Sequence, residues 1–256
     1  MLMLSAADLL IFVIKSRKMK IKNHTVLITG GTSGIGRELA RALAKDNRVI
    51  VTGRSEQRLT EARKDGLTAW NCDLTVPRQI EALVVKLEQE FPQLDILINN
   101  AGIQFNYNLL ETPSSYEKIN REITTNLTGT IHLTQLLLPL LSTKPSTIIN
   151  LTSALGTVPK SDGLVYSAGK AGLRNFTAGL RKVLRNKSVR VLEIIPPVTD
   201  TRMTAERGEN KMPVDELVRI ILRQWERGYQ LIAPGKVKFL LLLQRSLPGL
   251  ADRLIG

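Results

Sequence analysis

Short apolar runs alternate with stretches of helical period along most of this chain. TVLIT (25–29), RVIVT (48–52), TAWNC (68–72), DILI (95–98), TIINL (147–151), VRVLEII (189–195) and YQLIA (229–233) are brief and mostly β-branched, which predicts strands. Between them, apolar positions spaced three and four apart predict helices near 35–46, 55–65, 77–91, 115–142, 164–186 and 213–228. The strand runs are apolar throughout instead of alternating, as expected of parallel strands covered by helices on both faces. The pattern predicts an α/β fold: one doubly wound, Rossmann-like parallel sheet of about seven strands.

Two segments stand outside that alternation, so the chain divides into an extension (1–18), a domain (19–235) and an appendage (236–256). MLMLSAADLLIFVIKSRK contains Asp8 and is too short to span a bilayer. Its charge follows the apolar stretch and no small-residue cleavage site appears, which argues against a signal peptide. Met19 offers an alternative start of translation. The appendage combines leucines with Lys236, Lys238, Arg245 and Arg253. Such a segment either lies in an anionic membrane interface or packs as a helix on its own domain or across an oligomer.

Composition narrows the partners. The single cysteine, Cys72, excludes an intramolecular disulfide and suits a reducing compartment, so a cytoplasmic protein is expected; peripheral contact at the inner face of the membrane is the membrane reading of the chain ends, beside the packing one. A net charge of +13 favours anionic partners. The charge is spread along the chain and aromatics make up only 4%, which leaves few stacking platforms, so no nucleic acid is expected. Neither His24 nor His132 sits in a motif, and no metal site is expected.

The candidate chemistry lies at the ends of the predicted strands. TGGTSGIGRELA follows the first strand and opens the first helix, with Gly30, Gly34 and Gly36 in the spacing G-x-x-x-G-x-G. Such glycines let the backbone approach a pyrophosphate, which the helix N-terminus then favours. A P-loop fails here because Arg37 and Glu38 occupy its lysine and serine/threonine positions. Gly53 and Arg54 end the second strand, where an acidic residue would select an unphosphorylated ribose. Arg54 suits a 2′-phosphate instead, or is a solvated surface arginine. Asp73 follows the third strand, either reaching an adenine edge or capping the next turn.

Further along, INNAG ends the fourth strand; its paired amides can tie neighbouring loops together while Ala101 and Gly102 leave room for a ligand. Asn126 lies in an apolar, threonine-rich helix and must find partners there, structural or a held water. Ser153 ends the fifth strand, at the sheet edge where open α/β folds bind ligands. Tyr166 and Lys170 in LVYSAGKAGL share one helix face. Ser167 and Lys170 also match S-x-x-K, but the S-D-N and K-T-G elements of penicillin-recognising enzymes are missing, and there is no G-x-S-x-G elbow. A hydrolase is therefore not expected.

Taken in order, TGGTSGIG, Asp73, NNAG, Asn126, Ser153 and Tyr166 with Lys170 resemble the single-domain short-chain dehydrogenase/reductases over about residues 22–235. The resemblance implies hydride transfer between a nicotinamide cofactor and a small carbonyl or alcohol. Tyr166 would be the general acid/base and Lys170 would lower its pKa while holding the ribose. Ser153 would position the carbonyl, and Asn126 would hold a relay water. A free phenol titrates near about 10, so a neighbouring cation is what makes it useful at neutral pH. The implied cofactor contacts are Gly30, Thr32, Ser33, Gly34, Ile35, Gly36, Arg54, Asp73, Leu74, Asn100, Ala101, Gly102, Tyr166, Lys170, Pro196, Val198 and Thr201. Ser153, Leu155, Gln104, Tyr166 and Pro197 are expected to face the substrate. NADP(H) is expected ahead of NAD(H), and a homodimer or homotetramer is expected.

The chain departs from that family at Pro196-Pro197, where Pro-Gly is usual, and at its C-terminal end, which resembles an offshoot associated with D-alanylation genes of Gram-positive bacteria. A catalytically silent dinucleotide sensor or scaffold of the same fold is the competing expectation. Retention of both Tyr166 and Lys170 weighs against it.

Overall fold

The computed structural model describes residues 18–206 and 209–255, so residues 1–17 of the N-terminal extension lie outside the described residues. Seven strands form one sheet in the order β3-β2-β1-β4-β5-β6-β7. They are β1 (Thr25–Ile28), β2 (Arg48–Gly53), β3 (Thr68–Asn71), β4 (Ile96–Asn99), β5 (Ser146–Leu151), β6 (Val189–Ile194) and β7 (Leu231–Ile232). Every pairing is parallel.

The sheet is covered on both faces, as the continuous apolar runs require. Val26 and Ile28 of β1 join one buried cluster with Leu39 and Leu43 of α1 (Gly34–Leu43), Leu59 of α2 (Glu56–Lys64), and Leu217 and Trp225 of α7 (Val214–Glu226). Leu27, between them in sequence, joins the opposite cluster. That cluster holds Leu83 and Leu87 of α3 (Pro77–Glu90), Leu137 and Leu141 of α5 (Gly129–Leu141), and Leu180 of α6 (Leu164–Val183). Side chains of successive strand residues point to opposite faces, so each strand feeds both cores. At roughly 1.5–3 kcal/mol per fully buried aliphatic side chain, these two layers hold the sheet together.

Two expectations change in detail. The helix expected over 115–142 is α4 (Tyr116–Ile123), a π-helical turn (Thr124–Thr128) and then α5. The appendage folds into α8 (Lys236–Ser246) and α9 (Pro248–Ile255) and packs on the domain. Leu240, Leu243 and Ala251 enclose Val158, while Val237 and Leu241 meet Ile195. Among the described residues, no helix is long and apolar enough to cross a membrane.

Candidate active site

The order of strands reverses between β1 and β4, whose turns diverge to opposite faces and open a cleft at the carboxyl edge of the sheet. The cleft has a volume of about 550 Å³. Its floor is the turn after β1. Gly30 has φ +63°, and a Cβ there would lie 2.9 Å from the Cα of Ala101. At Gly36 a Cβ would collide with Asn100 Nδ2, so the first turn of α1 sits directly against the turn after β4. Asn100 Nδ2 donates to the carbonyls of Thr29 at 2.9 Å and Gly30 at 3.1 Å. In return the Thr29 hydroxyl accepts from the N–H groups of Asn100 and Ala101. Thr32 packs beneath Gly53, and Ser33 precedes α1 with its hydroxyl unspent on capping.

The end beneath β2 and β3 is cationic. Arg54 Nη1 stands 3.6 Å from an Asp73 oxygen, and Arg58 and Arg121 line the same space with Leu74. Burial pushes the Asp73 carboxyl up, but hydrogen bonds from the Thr75 N–H and hydroxyl, with the charges of Arg54 and Arg121, hold it below the ordinary carboxylate range. Cys72 lies in this wall with its thiol pushed up to about 11, first by burial and then by Asp73. It is a packed thiol rather than a nucleophile.

At the opposite end, α6 projects Tyr166 and Lys170 into the cleft, both buried. Lys170 Nζ donates to the Leu151 carbonyl at 2.8 Å and lies 5.8 Å from the centre of the Tyr166 ring. Burial lowers the Lys170 ammonium to about 8. Gly102, Ile103, Gln104, Pro196, Thr201 and Met203 close this end. Ser153 begins the short turn Ala154–Gly156, and its Oγ accepts from the Leu155 N–H at 3.1 Å. A Cβ on Gly156 would lie 2.7 Å from the Lys170 carbonyl carbon, so this turn is pressed against the helix carrying the lysine. Ser153, Leu155, Pro197 and Val198 flank the cleft without lining it, and Val198 is half exposed.

Asn126 lies within the π-helical turn, and both ends of its amide grip one residue. Its Oδ1 accepts from the Ile103 N–H at 2.9 Å and its Nδ2 donates to the Ile103 carbonyl at 2.8 Å. One turn earlier, Glu122 accepts from the Phe105 N–H at 3.0 Å. Burial raises the Glu122 carboxyl, an effect that this hydrogen bond only partly offsets. Asn99 is deeper still, donating to Asn150 at 2.8 Å and Thr134 at 3.0 Å.

Several lining residues escaped the sequence reading: Arg58, Arg121, Thr125, Phe105 and Arg202. The Thr125 hydroxyl is buried without a hydrogen-bond partner among the described residues. Arg54 directly follows β2 and Arg58 lies on the first turn of α2, while Arg121 and Thr125 are four apart across the join of α4 and the π-helical turn. The cradle closed to any Cβ, the cationic far end and the unpartnered hydroxyl together fit a dinucleotide.

A family model described as short chain dehydrogenase matches residues 24–212. The chain belongs to the short-chain dehydrogenase family. Within it, the chain is 37% identical to an uncharacterized oxidoreductase of Bacillus subtilis, DltE, over 86% of its own length and 91% of that protein. It is 35% identical to a serine 3-dehydrogenase of Agrobacterium fabrum, over 76% and 80% of the two chains. Among solved structures, a short-chain dehydrogenase of Burkholderia cenocepacia in complex with NADP superposes with a TM-score of 0.83 at 25% identity. That match covers 93% of this chain and all of the other. The C-terminal resemblance noted above thus agrees with the Bacillus relative, and the family's fold agrees with the doubly wound sheet.

Proposed function

We propose that this short-chain dehydrogenase interconverts a small carbonyl compound and its alcohol with NADP(H), using Tyr166 as general acid/base. The observation that carries the reading is the pair of buried side chains, Tyr166 and Lys170, facing one cleft from one face of α6. When bound, the dinucleotide supplies or accepts the hydride. Arg54, Arg58 and Arg121 would meet a 2′-phosphate, and Gly30 to Gly36 would carry the pyrophosphate at the N-terminus of α1. NADP in the Burkholderia structure supports that choice.

During reduction, negative charge grows on the carbonyl oxygen and needs a donor within reach. The Tyr166 hydroxyl donates that proton, and Ser153, whose Oγ accepts from the Leu155 N–H, keeps its own O–H proton to hold the same oxygen. Lys170 retains its charge at neutral pH, since it titrates at about 8, and that charge favours the phenolate left on Tyr166. Asn126 acts through the segment at Ile103 that its amide grips. Tyr166→Phe removes only a hydroxyl, so turnover should fall at least about a hundredfold while NADPH binding persists. Near-parental turnover in that variant would remove Tyr166 from the mechanism.

The same reading includes a cytoplasmic homodimer or homotetramer. Tyr116 and Val183, each 75% exposed on α4 and α6, are apolar surface available for such an assembly. Peripheral membrane contact would use Phe239, Leu247, Leu250 and Leu254, exposed beside the basic residues of α8 and α9.

A further inference from the structure

A second cavity of about 600 Å³ adjoins the reaction end of the cleft, within the range of roughly 300–1,000 Å³ typical of small-molecule sites. The two share Gln104, Phe105, Arg202 and Met203 in their walls. Tyr166 and Lys170 line only the first cavity, and Lys118 lines only the second.

The partition between them is built, not incidental. Its backbone is held at Ile103 by Asn126, at Phe105 by Glu122, and at Tyr107 by the Asp162 carbonyl at 3.0 Å. The Tyr107 hydroxyl also accepts from the Val165 N–H at 2.9 Å, fastening the partition to the start of α6. A ligand spanning both cavities would therefore meet a fixed wall and would cost little to accommodate.

The charge in the second cavity is specific. Lys118 Nζ sits 6.0 Å from the centre of the Phe105 ring, and Arg202 stands across the shared wall. Among the described residues, neither cation forms an ion pair. Among the described residues Glu206 is the only acid of the lining, against the two cations Lys118 and Arg202. A planar guanidinium and an ammonium around polar walls match a carboxylate.

We infer that the substrate is an oxo acid, or the corresponding hydroxy acid, whose carboxylate lies remote from the reacting carbon and binds between Lys118 and Arg202. This rests on the oxidoreductase reading above and deepens it. A short hydroxy acid carries its carboxylate beside the reacting carbon and would leave the second cavity unused.

Medium-chain oxo acids with ketone and carboxylate at opposite ends, and their methyl esters, separate the alternatives. Binding to the NADP⁺-loaded protein is read by calorimetry, and turnover by NADPH oxidation. The acid should bind more tightly than the ester, with an acid-to-ester ratio of at least about ten, the scale of one charge-assisted hydrogen bond. Lys118→Gln and Arg202→Gln should each shrink that ratio, and Lys118→Glu should invert it. Both side chains are exposed, so these substitutions leave the fold intact.

Equal binding of acid and ester by the parent overturns the inference, as does a ratio that survives in both glutamine variants. It also fails if Arg202→Gln weakens only NADPH. Charge-dependent binding without turnover of any member would support the anion site and count against the oxidoreductase reading. Turnover indifferent to the carboxylate would do the reverse.

Discussion

At 4% exposure Lys170 has surrendered nearly all its hydration and regains one hydrogen bond, to the Leu151 carbonyl. The fall from 10.5 to about 8 corresponds to roughly 3 kcal/mol, at about 1.4 kcal/mol per pH unit. The sign follows from linkage. Below about pH 8 both folded and unfolded chains hold the proton, and the fold bears the whole cost. Between about 8 and 10.5 the unfolded chain still holds it while the fold has released it, so stability rises with pH. Lys170→Met should therefore raise stability at neutral pH by up to about 3 kcal/mol, lessened by the orphaned Leu151 carbonyl, with turnover abolished. Denaturant titrations across pH should show the gain fading towards pH 10.5. At this scale the placement of side chains in the cleft was legible where spacing along one element sufficed, as for Tyr166 and Lys170. Arg121 and Thr125 were not, because they line the cleft from α4 and the π-helical turn, far in sequence from the strand ends that mark it.

Among the elements, the strands were readable because parallel strands buried on both faces leave continuous apolar runs. The π-helical turn at Thr124–Thr128 left no such trace. Its sequence is helical, and the extra residue per turn answers to packing and to the grip of Asn126 on Ile103, both tertiary. The appendage was readable as amphipathic, but not where its apolar face would go. It goes against the turn that follows Ser153, since Ala154 packs against both clusters that α8 forms. Leu240→Asp would bury a carboxylate beside Val158, in an apolar cluster. The hairpin should loosen and turnover should fall by more than NADPH affinity, because Ser153 is disturbed while the glycine turn is remote. Separate measurement of kcat and the NADPH dissociation constant tests this; equal losses in both would place the hairpin's role in general stability.

Across the whole molecule, β1 and β4 meet along a seam fastened at both ends. At the amino edge, His24 Nδ1 and an Asp95 oxygen lie 2.7 Å apart, and the other Asp95 oxygen accepts from the Thr25 N–H at 2.9 Å. The bond to Asp95 raises the His24 imidazole above its ordinary value, against the opposing effect of burial. A raised folded pKa gives stability that is complete below the unfolded value of 6.5 and is lost as pH rises through the folded one. His24→Gln should thus cost more stability below about pH 6 than above about pH 9, as chemical denaturation at both would show. A cost independent of pH would mean that the imidazole is held neutral.

That seam also sets when the protein can first work. Synthesis delivers β1, β2 and β3 before β4, so any sheet formed by the first three strands alone would carry an open edge on β1 until residue 96 arrives. An unpaired central edge is the part of a growing chain most exposed to wrong partners. Closing it brings Asn100 onto Thr29 and Gly30, the contacts that also form the floor of the cleft. Protection of the nascent chain and assembly of its dinucleotide cradle are then one event, and no half-made chain can carry the cradle alone.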